Sequence, residues 1–181
     1  MSAGRVAQQL ARIGMKVVEE EGAEGFLEDV RIEHGTLYYC PDARPSNLLH
    51  EAGHLACMPP MFRREASGDM DDMAEAMCDY AERRMAITGD PEEPIMRAIM
   101  QCSDTEATAW AWAFGRHIGL APEDIIEDRD YDGAGAEVRV QVSSGMHLGV
   151  HGLRAAGMLG SVRDWPLMSK WLQNAEEGKD R

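Results

Sequence analysis

The sequence predicts an α+β fold that is predominantly helical, and three observations carry that expectation. Apolar residues recur at helical spacing over most of the chain. One short stretch, Asp29 to Cys40, alternates instead and is rich in strand-favouring residues. A length of 181 residues with 44% hydrophobic content is enough for one domain with a sizeable core, while a second would be cramped. The domain is expected to span 1–175, with a frayed tail at 176–181.

Taken in order, Val6, Leu10, Ile13 and Val17 mark an amphipathic first helix that ends near Gly22. In DVRIEHGTLYYC, Val30 and Ile32 alternate with charged neighbours, His34-Gly35 forms a turn and Thr36 to Tyr39 completes a hairpin. Pro41 to Pro45 is a loop, and Ser46 is placed to cap a second helix that Pro59 and Pro60 stop. After a basic loop through Arg63, Arg64 and Gly68, Asp69 opens a helix with a stripe of Met70, Met73, Met77, Tyr80, Ala81 and Met85. Thirteen methionines is a high count, but a stripe at this spacing reads as core. Gly89-Asp90-Pro91 breaks the chain, and Glu92 to about Gly119 reads as another helical stretch. Pro122 begins a short acidic segment leading to a loop at Asp132-Gly133. In Ala134 to Asn174, EVRVQV alternates like a strand, yet the surrounding glycines and alanines and the later LGVHGLRAAGML assign the region to packed helices.

Charge narrows the function classes. A net charge of -14, from 18 Lys+Arg against 32 Asp+Glu, repels phosphate backbones and anionic lipid, so neither nucleic acid nor a membrane surface is an expected partner. No apolar run approaches 20 residues and no leader pattern opens the chain, which reads as soluble and cytoplasmic. Cys40, Cys57, Cys78 and Cys102 are widely spaced without a CxxC, as reduced, buried thiols would be. Cys57 lies three residues past His54 and reads as a small core residue.

The chemistry concentrates between Asn47 and Pro60, NLLHEAGHLACMPP, which contains HExxH at His50, Glu51 and His54. On a helix, residues four apart differ by about 6 Å of rise and about 40° of rotation, so both imidazoles project from one face and can share a zinc ion. Glu51 falls beside the metal as the base for a bound water. A catalytic zinc usually takes three protein ligands. Glu106 is the leading third, because a carboxylate within the small and aromatic run Glu106 to Ala113 is costly unless paired or metal-bound. Asp104 lies about 200° around the same helix and is read as a cap or as a partner of a ligand histidine.

Other groups are weaker candidates. His147 and His151 form a second i, i+4 pair that could build another metal site or reach the first as oxyanion donors. Tyr131 is a further oxyanion candidate, and His117 and His34 have weaker cases. Asp128 to Gly133 matches the first half of a calcium loop, but Arg139 stands where the bidentate glutamate belongs. The short sheet, if it lies beside the metal-bearing helix, offers an edge for an extended peptide.

HEAGH followed by DTEATAWA resembles the gluzincin class of zinc metallopeptidases, and more narrowly the ImmA/IrrE family, in the glutamate followed by alanine and an aromatic-alanine pair: Glu106, Ala107, Trp110 and Ala111. The resemblance implies zinc on His50, His54 and Glu106, with Glu51 as general base and acid, in a zincin-like fold with a small sheet beside the HExxH helix. The function expected is zinc-dependent hydrolysis of a peptide bond in a peptide or protein substrate. Its alternatives are a non-catalytic binding protein on the same scaffold and a metal hydrolase of non-peptide amides.

Overall fold

The computed structural model describes residues 2–68 and 70–176. Its elements run α1 (Ala3–Arg12), β1 (Lys16–Glu19), β2 (Val30–Glu33), β3 (Thr36–Tyr39), α2 (Pro45–Cys57), α3 (Pro60–Glu65), α4 (Met70–Thr88), α5 (Pro94–Met100), α6 (Asp104–His117), α7 (Pro122–Ile125), the single turn α8 (Asp130–Gly133), α9 (Gly135–Ser143), α10 (Leu148–Ala155) and a 3-10 turn at Val162–Asp164. The fold is α+β and mostly helical, with a three-stranded mixed sheet of order β1-β3-β2. No described helix is long and apolar enough to cross a membrane.

The hairpin forms where the alternation predicts it. Val30 pairs with Tyr39 and Glu33 with Thr36, and both residues of the connecting His34-Gly35 turn have positive φ, as a type I′ turn requires. Gly35 is obligatory for a second reason, since a Cβ there would lie 2.4 Å from the Arg63 carbonyl oxygen. β2 packs against α2, and its outer edge is partly covered: Gly68 N donates to Ile32 O (3.0 Å) and Gly35 N to Ala66 O (2.9 Å). The strand beside α2 is therefore not freely available for peptide pairing.

The first helix is shorter than its periodicity suggests. At Gly14, with φ of 95°, Gly14 N donates to Ala11 O and Met15 N to Leu10 O, the paired bonds of a Schellman stop. Val17 belongs instead to β1, which pairs in parallel with β3. Ser46 does not cap α2; Arg44 holds that position, Pro45 opens the helix, and Ser46 Oγ donates to Glu127 Oε1 at 3.4 Å. The stretch from 92 to 119 is two helices separated at Gln101 to Ser103. The region from Ala134 is helical through Ala155, but 165–176 is irregular and held by Gln173, whose N donates to Ala56 O and whose Nε2 donates to Ala156 O, both at 2.8 Å. The expected helix start at Asp69, and the expected tail from 177 onward, lie outside the described residues.

Small residues bring the central helices together. α6 is buried from Glu106 through Gly115 and lies between α2 and α10. A Cβ on Gly53 of α2 would come within 2.5 Å of Ala107 O, and one on Gly149 of α10 within 1.8 Å of Thr105 O. Both backbones thus lie against α6, and no side chain larger than hydrogen fits at either crossing. Around this trio, Trp110 stacks on Phe114 at a centroid distance of 4.9 Å and donates from Nε1 to Trp171 O at 2.8 Å.

Candidate metal centre

α2 is pinned along its length, which fixes where its histidines point. Near its start, Asn47 Nδ2 donates to Glu28 O (2.9 Å). At its end the Arg63 guanidinium donates to the carbonyls of Leu55 (2.7 Å), Met58 (2.8 Å) and Gln173 (2.5 Å), satisfying acceptors that a helix terminus leaves open. Between these anchors, His50 and His54 present their Nε2 atoms 3.1 Å apart, with rings inclined at 81°. Glu51 is buried between them in sequence, with 5% exposure.

The third group to arrive is Asp104. Its Oδ1 lies 3.1 Å from His54 Nε2 and 3.7 Å from His50 Nε2. Tetrahedral zinc with bonds of about 2.0–2.2 Å places ligand atoms about 3.3–3.6 Å apart. The three observed separations of 3.1, 3.1 and 3.7 Å all fall just outside that range, by a few tenths of an ångström, so the three donor atoms are close enough to share one metal ion. His50, His54 and Asp104 would supply three protein donors to a zinc ion, the number a catalytic zinc takes when one position is kept for water. The two imidazoles hold the Asp104 carboxyl well below the usual carboxylate range, although its side chain is 81% exposed. Its position as first residue of α6 also favours negative charge.

Glu106 does not join this group. Its Oε2 accepts from Ser103 Oγ (2.6 Å), Ser103 N (3.2 Å) and Thr105 Oγ1 (3.2 Å), closing a capping box at the start of α6. Its other oxygen faces α10, where a Cβ on Gly152 would lie 1.8 Å from Oε1. Two helical positions rotate a side chain by about 200°, so Asp104 and Glu106 look in nearly opposite directions. Of the two acids, Glu106 is engaged at the start of α6, and it is Asp104 whose carboxylate lies against the histidines. The sequence held a signal for this, because Ser103-Asp104-Thr105-Glu106 is a capping-box pattern that engages Glu106.

The remaining candidates separate cleanly. His147 caps α10, its Nδ1 accepting from Gly149 N at 3.2 Å; burial lowers its pKa while nearby Glu106 acts to raise it. His151 is exposed on the same helix, and neither belongs to the His50 group. His117 packs on Trp171 at 5.0 Å, and His34 sits in the hairpin turn. The Cys57 thiol is pushed well up by burial and stays a core residue. In the acidic loop, Asp128 pairs with Arg139, while Asp130 pairs with Arg44 (3.0 Å) and accepts from Glu127 N (2.8 Å). These separate engagements do not form a calcium loop, and among the described residues the only other cluster of metal-ligating types is Asp29, Cys40 and Asp42.

Tyr131 is the residue whose place the sequence left open. Its ring centroid is 6.4 Å from that of His50, and its hydroxyl is 2.7 Å from Thr108 Oγ1 on α6. Tyr131 and Asp132 both occupy the left-handed region (φ 57° each), a costly conformation for side chains of this kind. Burial pushes the Tyr131 hydroxyl up to about 12, against the opposing effect of the Thr108 hydrogen bond. His50, Asp104 and Tyr131 line one cleft of about 520 Å³. Compared with protein families, with curated proteins and with solved structures, the chain matches none.

Proposed function

We propose that this chain is a zinc-dependent hydrolase of peptide bonds. The observation that carries the reading is the convergence of His50 Nε2, His54 Nε2 and Asp104 Oδ1 within 3.1–3.7 Å of one another, with Glu51 next to His50 on the same helix. The HEAGH motif and its resemblance to gluzincin metallopeptidases support it further, with Asp104 in place of Glu106 as third ligand. A zinc ion bound here supplies Lewis acidity and lowers the pKa of water.

The chain's own residues do the rest. Glu51 accepts the proton of the attacking water and returns it to the leaving amine, so that water and amide become acid and amine. Tyr131, a phenol protonated at neutral pH and placed beside His50, donates a hydrogen bond to the carbonyl oxygen as negative charge develops. β2 against α2 is in keeping with a zincin-like arrangement. Four free cysteines support a reducing, cytoplasmic setting, and the net charge of -14 supports a peptide over a nucleic acid as substrate.

The deciding experiment compares zinc-loaded wild type with Glu51→Gln on a mixed peptide library read by mass spectrometry. Both should hold one zinc per chain, and only the wild type should cleave. Equal cleavage by the two would overturn the mechanism, and no cleavage by zinc-loaded wild type would overturn the activity.

A further inference from the structure

The cleft that contains His50 and Asp104 is also lined by an apolar set, which we treat as one half of it and whose composition the metal chemistry does not explain. Ala111, Ile125 and Ile126, each 2–3% exposed, line it together with Leu27 and Phe26, and these first three we call its apolar floor. Phe26 is the most exposed large hydrophobic residue among those described, at 82%. A solvated phenylalanine beside a hydrophobic floor is a poor arrangement for an isolated chain and a good one for a bound apolar group.

The charges around this half are largely spent on each other. Arg44 pairs with Asp130 and Glu127, and Arg129 with Glu127. Asp132, which also lines the cleft, takes part in none of the ion pairs of Arg44 and Arg129, so its carboxylate adds unpaired negative charge to the lining. An acidic side chain entering here would meet Asp132 and lose its solvation on the apolar floor. Continuity with His50 and Asp104 places whatever occupies the floor next to the reacting centre.

We propose that this half of the cleft is a specificity pocket for a large apolar or aromatic substrate side chain beside the scissile bond, with Phe26 closing over it and Asp132 excluding acidic residues. The inference rests on the hydrolase reading for the words "scissile bond", but the pocket itself can be tested without turnover. Capped, glycine- and serine-based fluorescent peptides that differ only in one central residue, Phe, Leu, Lys or Asp, are titrated against metal-free wild type and against zinc-loaded Glu51→Gln, with anisotropy as readout. The Phe and Leu peptides should bind on the order of tenfold or more tighter than the Asp peptide. Phe26→Ala, a change at an exposed position, should remove most of the Phe preference. Asp132→Asn should narrow the discrimination against Asp and leave the Phe–Leu order unchanged.

Cleavage by wild type is scored on the same peptides. Preferential binding of Phe without cleavage would support the pocket and overturn the hydrolase reading. Cleavage with no preference among the four would overturn the pocket and leave the hydrolase reading standing. An unchanged preference in Phe26→Ala, with the variant folded by circular dichroism, would also overturn the role given to Phe26.

Discussion

Gly53 of α2 and Ala107 of α6 meet backbone to backbone, so closely that a Cβ on Gly53 would lie 2.5 Å from Ala107 O and 2.9 Å from its Cα. This crossing sets the distance between the helix that carries the histidines and the helix that starts at Asp104. Gly53→Ala should therefore act on stability and on the metal together. Alanine is favoured over glycine in a helix by up to about 1 kcal/mol, but the forced separation should outweigh this and leave a net loss of about 1–3 kcal/mol. Thermal unfolding and zinc competition against a chelating dye should both shift, and a variant with wild-type zinc affinity would show that the crossing does not set the site.

The different placements of Asp104 and Glu106 make opposite demands on two variants under the proposed zinc site. Asp104→Ala should lose zinc affinity by more than the roughly 10–100-fold that removal of an outer partner costs. Glu106→Gln should keep zinc within a few-fold and lower stability by about 0.5–2 kcal/mol through the weakened cap. His50→Ala should lose zinc as Asp104→Ala does. Metal analysis after dialysis reads all three, and the reverse order for the two acids would restore Glu106 as ligand.

Tyr131→Phe removes the hydroxyl that meets Thr108 and leaves the ring beside His50. Under the proposed mechanism kcat should fall by about 10²–10³-fold, with zinc content unchanged and KM little altered. A variant with wild-type kcat would exclude Tyr131 as an oxyanion donor.

Asp104 also makes a pH prediction. In the metal-free protein its pKa is depressed by His50 and His54, so the interaction stabilises the fold above the ordinary carboxylate pKa of about 3.9 and is lost as pH falls through the lowered value. The side chain is largely exposed, so the energy is screened and small, but the ionisation is observable. Carboxyl NMR at a pH of about 3.5, with folding checked in the same sample, should find Asp104 still ionised where an ordinary aspartate is more than half protonated. Replacing both histidines with alanine should return it to the ordinary range.

Three of the cysteines should divide by the environment of their thiols, buried for Cys57, partly buried for Cys102 and exposed for Cys78. The Cys102 thiol is pushed up to about 12 and that of Cys57 higher than its usual range, both chiefly by desolvation, whereas Cys78 is exposed on α4. Brief alkylation of the native protein near neutral pH should label Cys78 and spare Cys57 and Cys102, as peptide mass mapping would show. Labelling of the buried Cys57 as fast as Cys78 would mean that α2 opens readily.

By itself the sequence determined most local elements and two members of the His50–His54–Asp104 cluster. Periodicity placed most of the helices, alternation placed the hairpin, and the four-residue spacing of His50 and His54 placed two imidazoles on one helical face. These are properties of consecutive residues, which backbone geometry alone relates. The sequence also held Gly14 and Ser103-Asp104-Thr105-Glu106, signals for a helix stop and a capping box, but each competed with a longer pattern that pointed elsewhere. The third member of the cluster was decided by tertiary structure. Whether Asp104 or Glu106 meets the histidines depends on the rotation of α6 about its axis, and that rotation is fixed by Gly53 against Ala107 on one side and Gly149 and Gly152 against Thr105 and Glu106 on the other. Tyr131 was likewise placed only by the folded chain, because the left-handed turn that brings it beside His50 joins residues 81 positions apart.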